Sequence, residues 1–127
     1  MLRRVGAWLP PIIYAIVIFH LSSESDPLPQ VTAIVWDKAL HTLEYAGFAG
    51  LLARAFRTEG CRWTTAIVLA VTLSSAYAGS DELHQLFVVG RDSDVRDWMA
   101  DVFGSTCGAF AYAGIAQWAR LLGLGVF

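Results

Sequence analysis

The sequence predicts an all-α polytopic membrane protein, a bundle of four transmembrane helices forming one domain over residues 1–127. Three observations carry that reading. Of the 127 residues, 56% are hydrophobic and 16% charged, whereas soluble domains run nearer half and a quarter. Four apolar segments of membrane-crossing length follow one another, parted by short polar connections. Trp8, Trp36, Trp63, Trp98 and Trp118 fall near the ends of those segments, as an aromatic belt would. At about 20 residues per crossing the chain has room for five or six spans at most, which excludes a two-domain enzyme. The net charge of −2 provides no basic field for nucleic acid.

The first segment runs from Val5 to Leu21 behind Arg3 and Arg4. It has the charged start and apolar core of a signal peptide, but no small-residue cleavage site follows, so it reads as a retained helix. Pro10 and Pro11 fall in its first third, where they are expected to kink it. Ser22 to Pro29 is polar and proline-broken, hence a loop. A short outer helix or turn fits between Pro29 and Asp37. The second helix is expected over residues 34–56, the third over 63–87 and the fourth over 97–122. Arg57 to Arg62 and Gly90 to Arg96 form the turns between them. Ala46 and Gly50, and Gly104 and Gly108 with Ala111, are small residues at helix-packing spacing. They suit close approach of helices and, in a second copy, a homo-oligomer.

Four spans place both termini on one side. Arg3, Arg4, Arg54, Arg57, Arg62 and Arg120 fall on that side, and Lys38, Arg91 and Arg96 on the other. The positive-inside rule therefore expects a multi-pass cell-membrane protein with both termini cytoplasmic. Cys61 and Cys107 are too few for a disulfide scaffold and read as unpaired thiols. No phosphate loop, HExxH or CxxC motif is present.

The polar residues of the helices need a reason. Asp37, Lys38, His41, Glu44 and Tyr45 lie within an arc of roughly 120° on the second helix. Asp81, His84 and Gln85 share a face near the end of the third, with Glu82 at its flank. Ionisable groups within a span are costly, so the two faces are expected to meet around a wet pocket at the outer side. A structural clamp needs two or three such groups; more converge here, with carboxylates in excess. Carboxylate beside histidine suits a metal site or a general acid–base pair. His41, Asp81, Glu82, Asp37, Glu44 and His84 are the candidate catalytic or ligand residues. Arg91 and Lys38 are candidates to hold phosphate, with Gln85, Tyr45 and Asp97 as further substrate-binding candidates. Asp97 is equally a candidate N-cap of the fourth helix. A divalent metal is a candidate cofactor, with no ligand set assigned.

Asp37-Lys38-Ala39-Leu40-His41 with Glu44-Tyr45 resembles the first motif of the VanZ-like family. Asp81-Glu82-Leu83-His84-Gln85-Leu86-Phe87, followed by Gly90-Arg91, Asp97 and Gly104/Gly108, resembles its second. Phe19 with Ser22-Ser23 is similar to the weaker pattern closing the family's first helix. One departure is Asp101, where the family pattern has Asn, and that position is not carried over as a site. The resemblance implies a small multi-helix membrane protein, a link to glycopeptide (teicoplanin) resistance, and kinship with membrane enzymes acting on lipid head groups or lipid-carrier phosphates. The expected function is hydrolysis or head-group exchange on a membrane lipid or lipid-linked cell-wall precursor, by a phosphoesterase or transferase. The alternative is a non-catalytic protein that binds or shields a precursor or antibiotic.

Overall fold

A computed structural model describes residues 2–25, 29–32 and 35–124. Four long helices and one short one follow in order: α1 (Leu2–Ser22), α2 (Pro29–Thr32), α3 (Asp37–Thr58), α4 (Trp63–Gln85) and α5 (Val95–Leu121). The α1 helix runs through Pro10 and Pro11 as a single element. The second long helix starts at Asp37 rather than at residue 34, which lies outside the described residues. That start puts an acidic side chain in the first turn, where it meets the positive end of the helix dipole. The α3–α4 turn uses Gly60 at φ +90°, a left-handed conformation that costs a glycine little.

The α5 helix corrects one expectation about capping. Asp94, not Asp97, is its N-cap: the Asp94 carboxylate accepts the Arg96 backbone N–H at 2.8 Å. Asp97 sits inside the first turn and is buried, so its side chain is directed into the bundle.

The bundle is organised around α3 and α5. A Cβ built on Gly104 would overlap the Thr42 carbonyl, and one on Gly108 the Ala46 carbonyl. The two backbones therefore touch along the small-residue stripe, and within one chain that stripe is used between α3 and α5. Alanines carry much of the remaining packing: Ala49, Ala53, Ala70, Ala78 and Ala109 are buried with Ile18, Tyr45, Phe48 and Leu52. Polar ties cross the interior as well. Ser74 and Ser105 hydroxyls meet at 2.7 Å between α4 and α5, and Tyr77 Oη donates to the Ala15 carbonyl of α1 at 2.7 Å.

The all-α four-helix bundle stands; four membrane spans do not. Among the described residues, α1 alone is long and apolar enough to cross a membrane. Charge interrupts α3 at Asp37, Lys38, Glu44, Arg54 and Arg57. Serine, threonine and glycine dilute α4, while Asp97 and Asp101 break the first turns of α5. Several of these polar groups pair across the helices, through Lys38–Asp97, His41–Asp101 and Ser22–Asp81. Composition counted their apolar neighbours without counting those pairings. The expected multi-pass cell-membrane placement, with both termini assigned to the cytoplasmic side, falls with the spans.

Candidate functional site

The end of α1, the start of α3, the end of α4 and the start of α5 meet at one end of the bundle. His41 is the hinge of the cluster there. On α3 it lies one turn after Asp37, and its Nδ1 is 3.0 Å from Asp101 Oδ1 on α5. Asp101 is 1% exposed, so this is a buried imidazole–carboxylate pair. Beside it, Lys38 Nζ bonds the Asp97 carboxylate and lies 3.4 Å from Asp94 Oδ2 and 3.8 Å from Asp37 Oδ2.

Glu82 enters from α4. Its Oε2 accepts the Ser93 hydroxyl at 3.1 Å and the Asp94 backbone N–H at 3.0 Å. Its Oε1 is buried with no hydrogen-bond partner, and the residue is only 6% exposed. A buried carboxylate oxygen without a donor is costly, so it asks for a ligand. His41, Glu82 and Asp101 each present a ligand atom within 4.8 Å of the others, and Asp37, His41 and Asp97 do the same. Both groups are compatible with metal coordination, and His41 belongs to both.

Asp81 is near but occupied differently. Its Oδ1 accepts Ser22 Oγ of α1 at 2.6 Å, and its Oδ2 faces Gln85 Nε2 at 3.4 Å. The carboxylate of Asp81 and the ring of His41 both line a cavity of about 360 Å³, together with Asp37, Glu44, Gln85, Arg91 and an apolar wall that includes Val17, Leu21, Leu40 and Leu43. Arg91 Nε is buried there without a partner. Tyr45 is fully buried and its hydroxyl also lacks a partner. Lys38, expected to hold phosphate, is engaged by carboxylates instead. His84 is set apart: its Nε2 is 3.0 Å from Ser23 Oγ and its ring stacks on Phe19 at 4.7 Å.

Electrostatics follow from this crowding. Burial works against a charge on His41. The hydrogen bond and charge of Asp101, then the charges of Asp97 and Asp37, outweigh burial and raise the imidazole to about 9. Burial pushes Glu44 up to about 7; the Asp81 and Asp101 charges add to this, while His41 and Arg91 oppose it. Glu82, Asp81 and Asp101 are likewise raised by burial, against the hydrogen bonds that each accepts. Among the described residues the carboxylates of Asp37, Glu44, Asp81, Glu82, Asp94, Asp97 and Asp101 outnumber the basic groups that act on them, Lys38, His41, His84, Arg91 and Arg96.

Sequence reasoning set Asp101 aside, and it is the direct partner of His41. The signal was available: Asp101 lies three residues before Gly104, on the face of α5 that packs against α3. Ser22 as the ligand of Asp81, and Ser93 and Asp94 as the support of Glu82, depend on contacts between distant segments. The lipid reaction and the shielding alternative both required a pocket set at lipid depth by four spans, and neither survives the loss of those spans.

The family model described as VanZ/LLP1 matches residues 6–117. No curated protein and no solved structure matches the chain.

Proposed function

This chain belongs to the VanZ/LLP1 family, and for it we propose a divalent-metal site at His41, Glu82 and Asp101 that serves hydrolytic chemistry in the adjoining cavity. The buried, unpartnered Glu82 Oε1 carries the proposal, in a residue that offers a ligand oxygen within 4.8 Å of those of an imidazole and a second carboxylate. One imidazole with two carboxylates suits Mn²⁺ or Zn²⁺ better than the all-oxygen preference of Ca²⁺. Asp37 and Asp97 each offer an oxygen within 4.8 Å of a His41 nitrogen. Ser93 and the Asp94 N–H hold the second Glu82 oxygen and so orient the first.

A metal bound here supplies Lewis acidity and lowers the pKa of a coordinated water. The chain's own groups do the rest. Glu44, on the cavity wall and titrating near 7, is placed to take up or return a proton. The Arg91 guanidinium provides a buried donor for an anionic substrate group. The cavity of about 360 Å³ accepts a small molecule, with its apolar wall holding a nonpolar portion.

Metal-stripped full-length protein titrated with Mn²⁺ and Zn²⁺ tests the site. One equivalent should bind, and Glu82→Gln should weaken affinity at least tenfold. A control change at exposed Glu24, Glu24→Gln, should leave it unchanged. Absence of stoichiometric binding, or wild-type affinity in Glu82→Gln, would reduce the cluster to a clamp between helices. Hydrolysis of a panel of small carboxylic and phosphoric esters in Mn²⁺, lost in Glu44→Gln while metal affinity persists, tests the chemistry. A panel without turnover removes the hydrolytic half of the reading.

A further inference from the structure

The opposite end of the bundle carries a second recess, and the geometry points to a binding site there for a multiply charged phosphate group. Arg3 of α1, Arg54 and Arg57 of α3 and Arg120 of α5 line a cavity of about 360 Å³, with Trp63 and Tyr112 among its walls. Three helices thus converge guanidinium groups on one space.

Two of these arginines are held in place. Arg3 Nη2 donates to the Thr58 carbonyl at 3.3 Å. Arg57 Nη1 donates to the Cys61 carbonyl, and the guanidinium stacks over Trp63 with 4.3 Å to the ring centroid. Those acceptors are neutral, so the charge remains uncompensated. Arg54 and Arg120 have no carboxylate partner among the described residues. Glu59 is the one described carboxylate at this end. It is taken by Arg4 at 3.1 Å and by the Trp8 indole N–H at 3.1 Å.

Like charges three residues apart on a helix, as Arg54 and Arg57 are, destabilise it, and a third helix adds Arg120 to the same recess. A ligand with two or more negative charges reverses the sign of that interaction. Guanidinium forks match phosphate oxygens in pairs, which a field of lysines would not do. The α4 helix adds to this. It begins at Trp63, a wall of the recess, so the positive end of its dipole lies beside it. The site is independent of the metal cluster, which lies at the other end of α3.

Titration calorimetry of the full-length protein with inorganic pyrophosphate tests it, with circular dichroism as the check on folding. One-to-one binding is expected, weakened at least tenfold in Arg54→Gln/Arg120→Gln. The charge-matched variant Arg4→Gln/Arg62→Gln, at the same end but outside the recess, should change affinity less than threefold. Equal weakening in both variants, or wild-type affinity in the first, would show a diffuse positive field and overturn the site. Cosedimentation with phosphatidylglycerol vesicles, against phosphatidylcholine, separates the two sources of the phosphate. Vesicle capture competed by pyrophosphate and lost in Arg54→Gln/Arg120→Gln places it on a head group. Pyrophosphate binding without capture places it in solution. Neither pyrophosphate binding nor capture would sink the proposal.

Discussion

At the scale of single residues, His41 and Glu44 set how stability depends on pH. His41 moves from an ordinary value of 6.5 to about 9 in the fold, where the hydrogen bond and charge of Asp101 prevail over burial. The folded state therefore holds that proton more tightly than the unfolded chain. Its contribution is complete below about 6.5 and is lost as pH rises through 9. Glu44 moves from 4.5 to about 7 because burial disfavours its charge, so ionising it costs stability as pH rises from 4.5 to 7. Both effects have one sign: metal-free protein should lose stability across pH 5 to 9, by on the order of a few kcal/mol. Urea unfolding at several pH values measures this. Glu44→Gln should flatten the acidic half of the slope, and a stability that rises from pH 5 to 9 would refute the assignment. Asp101 shows the limit of reading at this scale. As an isolated letter it departs from a family pattern, and only the facing helix makes it the partner of His41.

At the scale of elements, the α3–α5 contact is the tightest joint in the bundle. Gly104 and Gly108 have no room for a Cβ against Thr42 and Ala46. Gly108→Ala should separate the two helices and cost about 3 kcal/mol, at the upper end of overpacking penalties. Gly114, on the same helix, has nothing within 4 Å of a built Cβ. Gly114→Ala should stabilise by about 0.5 to 1 kcal/mol through helix propensity alone. Thermal melts of the two variants should therefore move in opposite directions, and a shared sign would mean that the joint is misplaced. Helix order and rough extents were legible because apolar runs and turn residues are local signals. The start of α5 was not, since Asp94 and Asp97 are both plausible caps in a string of letters. The choice depends on Lys38 of α3 drawing Asp97 inward.

At the scale of the whole molecule, charge is segregated along the bundle. Arg3, Arg4, Arg54, Arg57, Arg62 and Arg120 share one end with Glu59, while the described carboxylates other than Glu59 lie toward the other. The net charge of −2 conceals this, because it sums two opposed ends. Like-charge repulsion among the arginines, none of which is buried, is open to screening, with a Debye length falling from about 10 Å at 0.1 M salt to about 3 Å at 1 M. The melting temperature should rise between 0.02 and 0.5 M sodium chloride by a few degrees. A fall would mean that the exposed ion pairs, rather than the repulsions, dominate.

The amino-acid order by itself determined that the chain is helical, the order and rough extent of its helices, and that His41, Glu82 and their polar neighbours sit on faces that could meet. Those properties follow from hydrophobic period and helix geometry, which act over a few residues. Tertiary structure decided the pairing: Asp101 on His41, Ser22 on Asp81, and a Glu82 oxygen left without a donor. Among the described residues α1 alone has the length and apolar composition of a span, and tertiary structure decided how Lys38 and His41 on α3 find Asp97 and Asp101 on α5. The physical reason is common to these cases. What a polar group costs depends on the partner that reaches it, and these partners lie dozens of residues away in the chain.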